Sequence, residues 1–315
     1  MQEIRTKHRI IIVGVGDAGC HAVDRMIEEE MEGVEFIGVN TNKQSLQSCK
    51  APKLLQIGTK LTGGQDAGAR PEIGERAANE SAEEIVAVLK GADMVFVVCG
   101  MGGGTGTGAA PVVAKLVQNM GILTVGVVTL PFSFEKRACM SRAQVGIECI
   151  REFADTLIVI PGDSLLQGKG RNTTQLFAFR KMNKALQQTV QRILNAFHEN
   201  DVIGFDFTHI EWIMKPRGMA QVGLGEGQGN EKALNAVQRA AKGLRLDTAL
   251  TENMRIIIHV SGDVDLKDAN YAIDFVQKLA GEKVNIAFGA RYDNSIADHC
   301  VVTVIVKVLE DADKY

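Results

Sequence analysis

The sequence predicts an α/β protein in which a parallel-sheet domain is joined by a long central helix to a smaller α/β domain. Three observations lead to this prediction. Short β-branched runs alternate with helical stretches over residues 9–160, an apolar stripe of helical spacing follows, and a second alternation begins after Gly218. At about 150 residues per domain, a chain of 315 residues is also long enough for two domains.

The first region has the pattern of a parallel sheet with helices on both faces. Its predicted strands are rich in β-branched residues and span residues 9–13, 35–39, 53–57, 94–99, 122–129 and 156–160. Its predicted helices begin near Gly19, Arg70, Ser81, Gly106 and Phe134. Glycine and proline stand at the ends of the strands, which is typical of regular elements separated by turns.

Residues 173–198 form the predicted central helix. Apolar residues recur there three, four or seven positions apart, at Leu176, Phe179, Leu186, Val190, Ile193 and Phe197. The second alternation predicts helices at 231–242 and 266–279 and strands at 255–260, 283–290 and 300–309. The glycine-rich residues 222–229 are expected to be a flexible connection. We therefore expect domains at 1–172 and 200–315, with the central helix at 173–199.

Composition and charge exclude several classes of protein. The net charge is −3 and no long run of Lys or Arg occurs, so a sequence-independent grip on nucleic acid is not expected. The longest apolar runs are far shorter than the roughly 20 residues that span a bilayer, so no membrane insertion is expected. Six scattered cysteines, without a C-x-x-C pair or a zinc-type His cluster, predict a reducing, cytoplasmic location and no metal cage.

The first glycine motif is GVGDAG at residues 14–19, between a predicted strand and a predicted helix. Backbone N–H groups at such a helix start can bind phosphate, which makes Gly16, Asp17 and Ala18 candidate binding residues. Two alternatives stay open. An NAD site needs an acidic ribose ligand about 20 residues later, where residues 39–42 read VNTN. The motif also fits a tight turn without a ligand.

The second motif, GMGGGTGTG at residues 100–108, also follows a predicted strand. Its glycines and threonines leave N–H groups and hydroxyls free to surround an anion closely. Two such loops in one chain point to a polyphosphate ligand. No G-x-x-x-x-G-K-[ST] occurs, which excludes the P-loop lysine mechanism. A purely structural glycine turn is the alternative here too.

Residues 100–114, GMGGGTGTGAAPVVA, resemble the signature of the tubulin/FtsZ family in its bacterial FtsZ form. The similarity continues through residues 31–41, 121–129, 131–135 and 156–161, and more thinly into the second domain. The resemblance implies a nucleotide-binding domain, a central helix and an activating domain. It also implies GTP or GDP as the ligand, and head-to-tail filaments of the chain with itself as the product.

Several family site residues match. The phosphate loop is intact at Gly102, Gly103, Gly104, Thr105, Gly106 and Thr107. By the same resemblance, Glu135 is the ribose-binding glutamate and Phe179 the base-stacking phenylalanine. Any Mg²⁺ is expected to be held mainly by the phosphates and water, because no metal cage is visible in the sequence.

Other positions depart from the family around the phosphates. His21 replaces an asparagine of the first loop, and Asp17 and Ala18 replace glycines beside it. In the loop that senses the γ-phosphate, Asp66 stands for a glycine and Arg70 for an asparagine. A guanidinium suits a phosphate, so Arg70 is a candidate γ-phosphate ligand. A solvated arginine at a helix start is its alternative role.

Base and sugar recognition also depart from the family. Its asparagine–aspartate pair at the central helix is Asn183 and Lys184 here. A carboxylate accepts from the N–H groups of guanine, whereas an ammonium only donates, so Lys184 is expected to weaken guanine selectivity. Lys184 can instead reach a base acceptor. A family arginine appears as Cys139, with Arg137 and Arg142 near enough in sequence to substitute.

The predicted catalytic residues are Asp206 and His209. In the family, a loop of the next subunit supplies two acids preceded by an asparagine, and these position the attacking water. Asp206 matches the first acid, whereas Gly204 replaces the asparagine and His209 the second acid. Phosphoryl transfer depends on positioning and electrostatics, so this change predicts weak or absent hydrolysis without loss of binding. A neutral imidazole can still orient a water.

The leading functional prediction is a GTP-binding filament protein linked to cell division, whose head-to-tail contact propagates because it does not close. Other division proteins of the FtsZ type are possible partners. By the resemblance, a tail that recruits membrane tethers is expected to follow the second domain, and no match to it is expected within the residues up to Tyr315. The alternatives are a pseudo-GTPase filament that assembles without turnover or without nucleotide, and an NAD-dependent oxidoreductase. The last of these leaves the second glycine motif unexplained.

Overall fold

A computed structural model describes residues 8–166, 174–196, 207–244, 253–281, 284–293 and 298–310. The chain divides into two compact units, Met1–Val190 and Gln191–Tyr315, with the boundary inside a long helix. Each unit has its own sheet segment and its own buried residues, and each is described separately.

The described part of the first unit contains six parallel strands in the spatial order β3-β2-β1-β4-β5-β6. The strands are β1 Ile10–Val15, β2 Glu35–Asn40, β3 Lys53–Gln56, β4 Met94–Gly100, β5 Leu123–Thr129 and β6 Thr156–Ile160. Their ends lie within two residues of the predicted ends. From β1 to β3 the strands are added toward one edge of the sheet, and from β4 to β6 they are added toward the other edge. Ligands of such sheets usually bind where the order changes, which is here between β1 and β4.

Helices connect these strands. They are α1 Gly16–Glu28, α2 Lys43–Gln47, α3 Thr59–Thr62, α4 Pro71–Glu80, α5 Ala82–Leu89, α6 Thr105–Asn119, α7 Arg137–Arg151 and α8 Gln175–Asn195. The short helices α2 and α3 were not predicted. Helix α1 begins three residues before its predicted start, directly after β1. Helix α7 begins three residues after its predicted start, because Phe132 and Ser133 first form a loop whose N–H groups donate to Glu135 and Asp163.

The core of the first unit lies along its central strands. Met94–Cys99 of β4 is completely buried, as are Ile11 and Ile12 of β1. Helices cover both faces of this sheet, so inward and outward side chains are apolar alike. This explains why the strands could be recognised as continuous β-branched runs.

The second unit holds α9 Phe207–Met214, β7 Gly218–Gln228, α10 Lys232–Gly243, β8 Met254–Gly262, α11 Leu266–Ala280, β9 Asn285–Tyr292 and β10 His299–Leu309. Within its described residues, the strand order is β7-β10-β8-β9. Strand β10 is antiparallel to both β7 and β8, and β9 is parallel to β8. Its core contains small residues of α10, among them Ala236 and Ala240, packed with isoleucines of β8.

The prediction of a flexible connection at residues 222–229 was wrong, because these residues lie almost entirely in β7. The glycines alternate along the strand and face α10. A Cβ atom on Gly225 would lie 1.8 Å from the carbonyl oxygen of Ala236, and one on Gly223 would lie 2.4 Å from that of Ala240. These glycines are therefore required for close packing of a strand on a helix, and they do not indicate a linker.

Candidate functional site

Both glycine motifs lie at the carboxyl ends of neighbouring strands. Strand β1 ends at Val15, which pairs in register with Cys99 near the end of β4. The first motif leads from β1 into α1, and the second from β4 into α6. The fold thus brings together, at one edge of the sheet, two segments that are 86 residues apart in the chain (100 minus 14).

The first motif places the start of α1 against the sheet. A Cβ atom on Gly19 would lie 2.4 Å from the carbonyl oxygen of Val98, so only glycine permits this approach. Gly16 has φ +71°, a value that favours glycine, and it is the first residue of α1. No side chain caps this helix start. Its first N–H groups are therefore available to an anion.

The second motif has one residue that opens toward the ligand space and one that is fixed behind it. A Cβ atom on Gly103 would meet nothing within 4 Å. Gly102 has φ +113°; its N–H donates to Thr107 Oγ1 at 2.8 Å, and its carbonyl accepts from Arg142 Nε at 2.8 Å. Helix α6 then begins at Thr105, again without a side-chain cap. The loop is thus fixed by hydrogen bonds at Gly102, while its backbone at Gly103 remains exposed.

Two buried residues at the end of β2 hold both motifs. The side-chain amide of Asn40 donates to Asp17 Oδ1 at 2.8 Å, which fixes the first turn of α1. The hydroxyls of Thr41 and Thr105 lie 2.9 Å apart and share a hydrogen bond, which fixes the start of α6. Asn40 and Thr41 are at most 1% exposed.

A cavity of about 920 Å³ lies between the two helix starts and α8. Its volume is that of a site for a nucleotide-sized ligand. The predicted binding residues that line it are Gly16, Asp17, Ala18, His21, Gly103, Gly104, Thr105, Gly106, Glu135, Phe179 and Asn183. The fold therefore assembles most of the predicted residues around one space.

An aromatic group stands at the α8 side of this cavity. The ring of Phe179 is 42% exposed and packs edge-on against Phe132, with centroids 5.9 Å apart. Phe132 in turn stacks on Phe134 at 4.9 Å. Glu135 Oε1 accepts from the backbone N–H of Phe132 at 2.9 Å, which holds the carboxylate beside this group. A planar base can stack on Phe179 while Glu135 faces a sugar.

Other predicted residues lie elsewhere. Gly102 and Thr107 form the back of the loop, and Arg70 and Lys184 are exposed outside the cavity lining. His209 is an exposed residue in the first turn of α9. Asp206 lies outside the described residues.

The two arginines considered as substitutes at the sugar do not line the cavity. Arg142 binds the carbonyl of Gly102 and lies 3.3 Å from Cys139 Sγ. Arg137, at the start of α7, is exposed. Arg142 therefore fixes the conformation of the phosphate loop from behind.

The structure adds lining residues that sequence reasoning missed. Arg180 and Leu176 of α8 line the cavity beside Phe179 and Asn183. These four residues occupy positions i, i+3, i+4 and i+7 of one helix and so share a face. That spacing is visible in the sequence, but the resemblance identifies only Phe179 and Asn183, and Leu176 is predicted only as part of the apolar stripe. Asp66 also lines the cavity, as its place in the family's γ-phosphate loop suggests.

The charge around the cavity is mixed. Asp17, Asp24 and Glu28 line it from α1, together with Arg25. The Lys50 ammonium, 2.7 Å from Glu28 Oε1, holds the pKa of that carboxyl below its usual value. Beneath the first loop, a hydrogen bond with Cys49 and burial raise the pKa of the Cys20 thiol. Cys20 is thus a neutral, buried packing residue.

Among the described residues, no cluster of three or more His, Cys, Asp or Glu side chains is arranged to hold a metal ion. Within the same ranges, every helix is too short or too polar to cross a membrane.

Family models match most of the chain. Residues 9–169 match the GTPase domain of the Tubulin/FtsZ family, and residues 218–310 match the C-terminal domain of the FtsZ family. Two structures of FtsZ from M. jannaschii are each 37% identical to this chain. The match to an empty FtsZ dimer has a TM-score of 0.88 and covers 96% of this chain and 89% of that chain. The match to a point mutant has a TM-score of 0.89 and covers 97% of this chain and 92% of that chain.

Tubulin-like proteins of lower identity share the fold. A CetZ2 protofilament with GTPγS from Haloferax volcanii is 21% identical, with a TM-score of 0.78 and coverage of 97% of this chain and 95% of that one. The predicted α/β fold and the predicted family are both confirmed. This chain belongs to the tubulin/FtsZ family, whose GTPase domain implies a protein that binds guanine nucleotides.

Proposed function

We propose that this chain binds GTP in the 920 Å³ cavity, assembles head to tail into filaments and hydrolyses GTP slowly. One observation carries the proposal: two helix starts without side-chain caps, α1 and α6, meet at one cavity that has an exposed aromatic ring at its other side. Helix starts bind phosphates and an exposed ring binds a base, so this arrangement suits a nucleoside polyphosphate.

Each part of the nucleotide has a residue of suitable chemistry. The N–H groups at Gly103 and at the first turn of α6 would bind phosphate oxygens, because no protein atom occupies the space in front of Gly103. Glu135 would accept from ribose hydroxyls, and Phe179 would stack on the base. Mg²⁺ would be held by the phosphates and water, with Asp66 or Asp17 near enough in the lining to bind its water ligands.

Base selection would depend on Asn183, which lines the cavity, and not on Lys184, which lies outside it. An amide oxygen accepts and an amide nitrogen donates, so Asn183 recognises guanine less strictly than a carboxylate does. We therefore expect a preference for GTP over ATP that is smaller than in family members with the asparagine–aspartate pair.

Hydrolysis would require Asp206 and His209 of the neighbouring subunit. A relative with 37% identity was solved as an FtsZ dimer, which supports self-association of this chain. With an imidazole in place of the second acid, the attacking water would be oriented by a weaker acceptor. A role in cell division and a cytoplasmic location are part of this proposal, as is an association with other division proteins.

The test is a pelleting assay without nucleotide, with GTP, with GDP and with ATP, in which polymer, bound nucleotide and released phosphate are measured. We expect polymer with GTP and slow phosphate release. Equal polymer in all four samples, without bound nucleotide or phosphate release, would contradict the proposal and establish the pseudo-GTPase alternative.

A substitution tests the proposed catalytic role of His209. His209→Asp restores the family's second acid, so phosphate release per polymer should rise about tenfold or more with unchanged GTP affinity. Thr208→Asp is the matched control, because it adds the same charge to the neighbouring exposed position of α9. An equal effect of the two substitutions would show that charge alone, and not the position of the acid, alters turnover.

A further inference from the structure

A second cavity, of about 590 Å³, lies on the helical face formed by α4, α6 and α7. All its lining residues belong to the first unit. The proposed nucleotide site does not use this face, because the phosphate loop lies between the two cavities. The volume is within the usual range of sites for small organic ligands.

The floor of this second cavity is apolar. Pro111 and Val112 of α6 are buried, and the apolar side chains of Val145 of α7 and Phe153 also line the cavity. The helices pack closely here because of glycine: a Cβ atom on Gly108 would lie 1.9 Å from the carbonyl oxygen of Pro71. An apolar ligand body would replace water on this surface, which is favourable.

The rim of the cavity is acidic. Glu72 and Glu75 of α4 and Glu152 after α7 line it, all three exposed. Burial together with Glu152 and Glu75 raises the pKa of Cys149, which lies on the same rim.

The two cations of the lining already have partners. The Lys115 ammonium lies 5.5 Å from the centroid of the Phe153 ring. The Arg142 guanidinium binds the carbonyl of Gly102 and contacts Cys139 Sγ. Three carboxylates against two cations give the charged residues of the lining a net negative charge, and this charge beside an apolar floor favours a ligand that carries a positive charge on an apolar body.

We propose that this second cavity is a binding site for an organic amine with an aromatic body. The ammonium lies among Glu72, Glu75 and Glu152, and the ring lies on Val112 and Val145. Charge complementarity selects the amine over a neutral or anionic compound of the same shape, and the apolar floor selects an aromatic body over a small polyamine.

The second cavity is also connected to the phosphate loop. Thr107 and Arg142 line it, and these two side chains hold the N–H and the carbonyl of Gly102. A ligand that displaces either side chain changes the conformation of Gly102, so amine binding and nucleotide binding are coupled. The coupling rests on the proposed GTP site, whereas amine binding does not.

The first test compares three indole compounds with one shape and different charge: tryptamine, tryptophol and indole-3-acetate. Their binding is measured by ligand-observed NMR titration without nucleotide. We expect tryptamine to bind about tenfold more tightly than indole-3-acetate, a difference of about 1.4 kcal/mol. The double variant Glu75→Gln, Glu152→Gln should abolish this preference, and Glu83→Gln, Glu84→Gln on the next helix is the matched control. Absence of saturable tryptamine binding, or a preference unchanged in the double variant, would overturn the proposal.

Cys149 gives a second and independent readout at the rim. Its thiolate attacks a methanethiosulfonate to form a mixed disulfide and release methanesulfinate. Compared with the ratio of their rates with free 2-mercaptoethanol, a trimethylammonium reagent should be favoured about tenfold more over a sulfonate reagent at Cys149, and tryptamine should slow the reaction. Cys149→Ser corrects for Cys139, which is partly exposed. A rate ratio equal to that of the free thiol, unchanged by tryptamine, would contradict an acidic ligand site here.

The coupling is tested last, through GTP affinity with and without saturating tryptamine. We expect a change of about fivefold, within the usual range of coupling between sites. If tryptamine binds and GTP affinity is unchanged, the connection through Gly102 is wrong. If GTP itself does not bind, the proposed function fails while the tryptamine titration still decides the second cavity.

Discussion

Two glycine-rich segments of this chain have similar composition and opposite roles. Residues 101–104 form the loop between β4 and α6, where Gly103 has no protein atom within 4 Å of a Cβ position. The glycines of β7 lie in a strand, where a Cβ on Gly225 would nearly overlap a carbonyl oxygen of α10. One segment leaves space for a ligand, and the other removes space between two elements.

The difference lies in the spacing of the glycines. In the loop three glycines, Gly102 to Gly104, are consecutive, and the middle one is exposed while its two neighbours are buried. In β7 they occupy every second position, and the residues of a strand that are two apart point to the same face. The consecutive glycines of the loop thus leave one exposed backbone position at Gly103, whereas the alternate glycines of β7 all lie on the face that packs against α10.

The largest effect is expected for Gly225→Ala. The new Cβ would clash with the backbone carbonyl of Ala236, and a smaller side chain on α10 cannot relieve a clash with backbone. We expect the free energy of unfolding to fall by about 3 kcal/mol, measured by denaturant titration. Gln221→Ala, at an exposed position of the same strand, is the control. Equal stability of the two variants would show that α10 moves away from β7 without cost.

An intermediate effect is expected for Gly103→Ala, and it should appear in binding alone. The φ angle of Gly103 does not require glycine and its Cβ position is empty, so the thermal midpoint should not change. The methyl group would project into the phosphate space, and GTP affinity should fall about tenfold or more. Affinity is measured with a fluorescent GTP analogue, with Asn119→Ala at the other end of α6 as the control. An unchanged affinity would mean that phosphate binds elsewhere in the cavity.

The smallest effect concerns the pH dependence of stability that arises from Asp263, which follows β8 and pairs with Lys232 at the start of α10. The backbone N–H of Asp298 and the Lys232 ammonium at the start of α10 hold the pKa of Asp263 below its usual value. The stabilisation is therefore present above the ordinary pKa of aspartate and is lost as pH falls through the lowered pKa. Asp263→Asn should lower the thermal midpoint slightly at neutral pH, and the difference should disappear as the pH falls through the lowered pKa of Asp263. A constant difference at all pH values would exclude an electrostatic cause.

Much of the fold could be predicted from sequence, because burial on both faces of the parallel sheet gives a strong apolar signal. β7 was missed, since its glycines lower the propensity that marks other strands. Within the site, consecutive glycines and family resemblance identified most of the residues around the cavity. Thr41 was missed because its contact with Thr105, 64 residues away, arises only on folding. Arg142 was placed near the sugar by its sequence position, whereas its side chain turns to Gly102.

The pair Asn40 and Thr41 has a consequence for the thermodynamics of binding. One dipeptide at the end of β2 holds the start of α1 through Asp17 and the start of α6 through Thr105. The two helix starts are therefore fixed relative to each other before a ligand arrives. A ligand that binds such a preorganised site loses little affinity to the ordering of loops. Their conformational entropy is lost once, when the chain folds, and is not lost again at each exchange of nucleotide.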